Sequence, residues 1–170
     1  NPVVTLNAWA APWRMKNGWK EFHLIAEPVI RELAPGMKAT LWGYNGSSPG
    51  PTIEVVEGDK VRIFVTNKLP EPTSIHWHGQ RLPNGMDGVA GVTQPQIPVG
   101  KTFVYEFEAK RAATFMYHPH ADEVTQMAMG MMGFWVTMLT VASARRQTQV
   151  QPASAPTRRS VPSGDTDGHL

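Results

Sequence analysis

The 170-residue sequence contains no cysteine. That absence excludes a disulfide framework, a cysteine-bearing zinc or iron–sulfur site, a thiol nucleophile and any thiolate-ligated copper supplied by this chain. An excess of one charge sign is missing too. The formal net charge is +2, and it sits beyond residue 142, where Arg145, Arg146, Arg158 and Arg159 outnumber Asp165 and Asp167. The body of the chain is neutral and shows no basic stripe interleaved with aromatics, so nucleic acid and an anionic membrane surface are not expected partners. Long apolar runs are scarce. The longest, Met127 to Ala142, is broken by Gly130, Gly133 and two threonines, and reads as a buried loop followed by a strand rather than a membrane span. No methionine start or charged-then-apolar leader precedes Asn1, so the expectation is a mature chain after signal removal or a fragment.

What is present is turn chemistry. Hydrophobic residues at 41% and charged residues at 18% describe a globular chain, and 15 glycines with 15 prolines favour an all-β fold over a helix bundle. Short runs rich in Val, Ile, Phe and Thr alternate with turn clusters from Glu21 onward, the pattern of a sandwich or barrel. Strands are expected over Phe22–Glu32, Lys38–Tyr44, Asp59–Asn67, Ser74–His78, Lys101–Phe107, Thr114–His118 and Phe134–Val141, forming one antiparallel sandwich with little room for helix. In Asp59–Asn67, Val61, Ile63 and Val65 alternate with Lys60 and Arg62, so one face is wet. Residues 1–20 hold Trp9, Trp13 and Trp19 without periodicity and read as an extension packed across the sandwich or against a missing neighbour. The domain proper then spans 21–142. Residues 143–170, without an aromatic and rich in Ser, Pro, Gln, Thr and Arg, read as a disordered or aberrant tail.

Four of the six histidines form two pairs of identical spacing, His76-Trp77-His78 and His118-Pro119-His120. On a strand, residues i and i+2 project to one face about 6.5–7 Å apart, and neighbouring strands lie about 4.8 Å apart. Two adjacent strands would therefore converge four imidazoles on one small volume, while Trp77 and Tyr117, of opposite parity, pack inside. Imidazole suits copper, zinc, iron and nickel, and a set without carboxylate argues against magnesium or calcium. One such pair could equally be polar residues on a solvated face; two identical pairs point to a metal. His23 and His169 have no sequence partner and read as ordinary histidines.

The surrounding text resembles the first cupredoxin domain of multicopper oxidases, and is closest to bacterial laccase-like, copper-resistance and cuprous oxidases. The resemblance runs from about residue 40 to 137 through Pro49-Gly-Pro-Thr-Ile53, Glu57-Gly-Asp-Lys-Val61, Ser74-Ile-His-Trp-His-Gly79, Asn84-Gly-Met-Asp-Gly88, Phe115-Met-Tyr-His-Pro-His120 and Gly130-Met-Met-Gly133. It implies a cupredoxin-like Greek-key β-sandwich. It also implies copper at four positions: His76 on the type 2 ion, His78 and His118 on one type 3 ion, and His120 on the other. Asp87, eleven residues after His76, matches the family's acid implicated in proton delivery. Its alternative is a turn residue capping its own backbone, and both can hold.

The missing cysteine shapes the expected function. The family takes electrons at a blue type 1 copper held by a cysteine, and this chain supplies neither that thiolate nor more than half of the trinuclear histidines. The chain is thus expected to be half a site. It would be completed by a C-terminal cupredoxin domain of a longer polypeptide or a neighbouring subunit, with dioxygen as the oxidant, and would be inactive alone. Met138 to Leu170 match nothing in the family pattern. A non-catalytic periplasmic copper-buffering module is the alternative, and a four-histidine zinc hydrolase is a weaker one, since catalytic zinc usually has three protein ligands and a nearby base. Met127, Met129, Met131 and Met132 could select Cu(I) but more readily fill a core. The resemblance places the chain in the periplasm or outside the cell.

Overall fold

A computed structural model describes residues 9–140. Among the described residues nine strands form two sheets. The first sheet contains β1 (Trp13–Lys16), β2 (Trp19–Ala34), β3 (Met37–Tyr44), β5 (Lys60–Asn67) and β7 (Thr102–Glu108). The second has the order β4 (Ile53–Val56), β9 (Gly133–Met138), β8 (Ala113–His118) and β6 (His76–His78). One short helix, α1 (Glu123–Ala128), and a single 3-10 turn over Asn84–Met86 complete the described residues.

The all-β, cupredoxin-like sandwich expected from the sequence is the fold. Its pairing is mixed rather than antiparallel: β2 runs parallel to β5, and β4 parallel to β9. Both parallel pairs join strands distant in the chain, which no hairpin can connect, so turn signals did not reveal them. The seven expected strands are all present. β1 and β4 are additional, and each has only four residues. The run from Met127 also differs from expectation, because Met127 and Ala128 close α1 before a turn leads into β9. Pro28 lies in β2 beyond Ala26, where the β5 ladder has ended, so β2 is an edge there and tolerates a residue without N–H.

The expected boundary at residue 20 falls inside β2, and Trp13–Lys16 pairs with its first turn of chain, Trp19–Phe22. Upstream, Thr52 donates to the Trp9 carbonyl and Ala11 to the Thr52 carbonyl, both at 2.7 Å, so this segment also touches the second sheet. The expected tail, 143–170, and His169 with it, lie outside the described residues.

Between the sheets, period-2 alternation fills the core. Val61, Ile63 and Val65 of β5 are fully buried, while Lys60 stays exposed. Opposite them stand Trp77, Tyr117 and Trp135 from the second sheet. Trp77 packs edge-on to Tyr105 at 5.1 Å and to Trp135 at 5.6 Å between ring centroids. The geometry suits aromatic quadrupoles and fixes which side of β6 faces inward. No helix among the described residues is long and apolar enough to cross a membrane.

Candidate metal centre

β6 is only three residues long, and its central residue is anchored in the core. With Trp77 inward, strand alternation turns His76 and His78 outward. β8 pairs with it antiparallel in the register His76↔His118, Trp77↔Tyr117, His78↔Met116. His118 therefore stands beside His76 on the same outer face, and His120 follows two residues beyond the strand. The ring centroids of His78, His118 and His120 lie 5.5, 5.3 and 5.6 Å from that of His76. The expected convergence of the two pairs is thus present. Ligand nitrogens of His76, His78 and His118 all fall within 4.8 Å of one another. His120 stands at the margin, its ring 6.3 Å from that of His118 and its side chain 37% exposed.

Main-chain carbonyls select which nitrogen two of the rings present. His76 Nδ1 donates to the Asp87 carbonyl at 2.8 Å, and His118 Nδ1 to the Pro119 carbonyl at 2.9 Å. Each bond fixes a tautomer with the lone pair on Nε2. His78 Nδ1 lies 3.3 Å from His118 Nε2. Burial lowers the His118 pKa, as do the neighbouring His76 and His78, against opposing contributions from the Pro119 carbonyl and Glu123. Its imidazole is therefore neutral at pH 7, the form that binds a metal. One loop contact deserves a glycine: Gly88 has φ +83°, and a Cβ there would overlap the Ile75 carbonyl. This close approach seats the Asp87 carbonyl against His76. Ile75 is held from its other side, its N–H donating to Tyr105 Oη at 3.0 Å; burial pushes that phenol up to about 12.

A family model for multicopper oxidases matches residues 27–139. The chain belongs to the multicopper oxidase family. Among curated relatives, multicopper oxidase mco of Staphylococcus aureus is 40% identical over 115 residues, covering 67% of this chain and 25% of that protein. Copper resistance protein A of Pseudomonas syringae pv. tomato is 43% identical over 94 residues, 55% of this chain and 15% of its own. Of solved structures, a multi-copper oxidase from Pseudomonas thermotolerans superposes with TM-score 0.70 at 43% identity, covering 71% of this chain and 30% of the other. A metallo-oxidase from Campylobacter jejuni gives TM-score 0.72 at 34% identity over 80% of this chain and 29% of that one. The chain therefore spans a quarter or less of both curated relatives.

Copper is the family's metal, and the residues here fit it: three clustered imidazoles, two locked in the Nε2-presenting tautomer, one buried and neutral. Without a cysteine the chain cannot hold a thiolate-bound copper. Asp87 lies where the sequence reading expected an acid. It follows the 3-10 turn, donates its own N–H to the Asn84 carbonyl at 3.1 Å, and brings Oδ1 within 3.4 Å of His76 Nδ1. Its part in the turn is played by the main chain, since no hydrogen bond between its carboxylate and its own backbone occurs among the described residues, and the carboxylate stands beside the histidine cluster. Asp87 also lines a cleft of about 700 Å³ with Gln80, Arg81, Asn84 and Lys110, which opens it to water.

The methionines divide. Met131 is fully buried in the core, whereas Met127, Met129 and Met132 are half-buried. His23 is remote from the cluster: its Nε2 lies 2.8 Å from Thr66 Oγ1 on the first sheet. Sequence reasoning missed Glu123, whose two carboxylate oxygens lie 3.6 Å from His118 Nδ1 and 3.6 Å from His120 Nε2. The available signal was an acid three residues after His120 in a segment that was read as loop.

Proposed function

We propose that this chain supplies half of the type 2/type 3 trinuclear copper centre of a multicopper oxidase that couples one-electron oxidation of a substrate to reduction of dioxygen to water. His76 is assigned to the type 2 ion, His78 and His118 to one type 3 ion, and His120 to the other. The observation carrying this reading is the convergence of His76, His78 and His118 within 4.8 Å on the outer face of the second sheet. The 3.3 Å approach of His78 to His118, with His120 set apart, supports the division among ions. Bound copper would supply the redox steps. This chain's residues orient the imidazoles, keep His118 neutral, and through Asp87 hold a carboxylate between His76 and solvent from which protons can be drawn.

The other half comes from a C-terminal cupredoxin domain of a longer polypeptide or a neighbouring subunit. Two features support this. Copper resistance protein A of Pseudomonas syringae pv. tomato and multicopper oxidase mco of Staphylococcus aureus both extend well beyond the shared region, and the sheet face that bears the histidines also exposes Phe134 (42%) and Met138 (37%). The copper domain comprises the described strands from β1 (Trp13–Lys16) to β9 (Gly133–Met138), so that it begins upstream of the boundary expected at residue 20. Its location is periplasmic or extracellular, away from the reducing cytosol.

The test has two stages. Titrated with copper, the chain should bind it with nitrogen coordination by electron paramagnetic resonance, without a blue band and without oxidase activity; His76→Ala or His118→Ala should abolish that signal. Co-expression with the C-terminal cupredoxin domain of a relative should then restore oxygen consumption. Copper bound unchanged in the histidine variants refutes the site. Copper uptake that never yields turnover with any complementing domain leaves the buffering module instead.

A further inference from the structure

We infer that α1 is a bracket that presets the second histidine pair, with Glu123 the positioning residue and Gln126 its anchor; this rests on the copper reading above. The rings of His78 and His120 make no hydrogen bond to a main-chain group among the described contacts, and His120, whose carbonyl accepts from the Ala90 N–H at 3.3 Å, follows the end of its strand. Its ring nevertheless faces one carboxylate, Glu123, whose other oxygen faces His118. A single side chain thus spans the two imidazoles that the proposed function assigns to different ions.

The span holds only if the helix is fixed. Gln126, one turn along, is fully buried and uses its whole amide. Thr73 Oγ1 donates to its Oε1 at 2.6 Å, while its Nε2 donates to Glu71 Oε1 at 2.7 Å and to the Pro72 carbonyl at 2.9 Å. Residues 71–73 lead directly into β6, which carries the first pair. Gln126 therefore ties the helix to the approach of His76 and His78, and the same helix places the Glu123 carboxylate 3.6 Å from His118 Nδ1 and 3.6 Å from His120 Nε2. Backbone geometry agrees: Asp122, just before the helix, adopts φ 41°, ψ 53°, a left-handed conformation that side-chain-bearing residues rarely take. The sharp reversal brings a helix to within two residues of His120 and points Glu123 back at the pair. Residues that orient metal-binding histidines commonly contribute 10–100-fold to metal affinity.

The test uses the full chain, with copper(II) affinity measured by chelator competition, the electron paramagnetic resonance spectrum of the copper adduct, and thermal unfolding. Glu123→Ala and Glu123→Gln should each weaken binding by about 10-fold or more and change the copper hyperfine splitting. Because Glu123 is 42% exposed, melting should move by no more than about 2 °C. Glu123→Asp should recover part of the affinity, and Gln126→Leu should lower both affinity and melting temperature. Wild-type affinity and spectrum in both Glu123→Ala and Glu123→Gln, with His118→Ala and His120→Ala still weakening copper, would overturn the bracket alone. Normal binding in the histidine variants as well would instead overturn the copper site.

Discussion

Trp77 is where the core and the histidines meet, and replacing it separates packing from polar effects. The residue is 1% exposed, and its ring lies 5.1–6.0 Å from those of Tyr105, Trp135, Phe107 and Tyr117. Its indole Nε1 is buried and finds no hydrogen-bond partner among the described residues. Trp77→Ala empties the site and should cost about 3–5 kcal/mol. Trp77→Phe removes about two apolar ring atoms, a loss near 1.5 kcal/mol. It also removes a buried unpartnered donor whose desolvation costs about 1–3 kcal/mol, so the net should lie between a loss of about 0.5 and a gain of about 1.5 kcal/mol. For a domain of this size each kcal/mol moves melting by about 3–5 °C. Calorimetry should therefore show Trp77→Phe within about 8 °C of the parent, and no more than about 3 °C below it, and Trp77→Ala lower by about 10 °C or more. Copper affinity should follow the same order, because Trp77 is the sole inward residue of β6 and sets the direction of His76 and His78. If Trp77→Phe were as damaging as Trp77→Ala, the assignment of an unpartnered indole and of shape-driven anchoring would be wrong.

Asp87→Asn leaves the main-chain carbonyl that orients His76 in place, so copper loading should persist while oxygen consumption by the assembled oxidase falls about 10²–10⁴-fold; equal turnover removes the proton role. Gly88→Ala forces a Cβ into the Ile75 carbonyl at φ +83°, and should lose at least about 1–2 kcal/mol from backbone conformation alone, with weaker copper binding because the Asp87 carbonyl is displaced; a stability unchanged in urea unfolding would contradict the contact. Glu21 is 4% exposed, and its carboxyl is held below the usual carboxylate range chiefly by Arg62, with Arg14 adding to this and burial opposing it. Its stabilising contribution is full above the unfolded-state pKa near about 4.3 and is lost as pH falls through the lower folded value. Glu21→Gln should accordingly be less stable than the parent at pH 7, and the difference should shrink as acid takes the pH down through the lowered folded value; a difference that widens with acid would reverse the sign.

The histidine geometry was legible because it depends on one strand property. Alternation sends residues 76 and 78 to one face whatever surrounds them, and the same parity buries Trp77 and Tyr117. What escaped depends on tertiary placement. β4 is four residues embedded in turn-rich sequence, and its partner β9 lies far along the chain and parallel to it, so no local signal could announce it. α1 has only six residues, too few for a helical period to register, and it is held by Gln126 bonds to residues 71–73 rather than by intrinsic propensity. Since Glu123 owes its position to that helix, the sequence offered an acid three residues after His120 but no sign that it reaches both His118 and His120.

The asymmetry between the two pairs follows from these supports. His76 and His118 each lose one nitrogen to a carbonyl fixed by the fold, so their Nε2 atoms are committed before any metal arrives. His78 depends on its neighbour, and His120 on a half-exposed carboxylate. Commitment is thus greatest at the paired positions His76 and His118 and least at His120, beyond the end of β8. Under the proposed function, such a domain holds one imidazole of each of two ions preorganised, His76 and His118, while His78 and His120 stay adjustable to ligands from elsewhere. In the proposed half-site this gradation has a physical reason: four fully rigid rings would have to match a second domain before docking, and four loose ones would lose the entropy of their ordering on each metal-binding event.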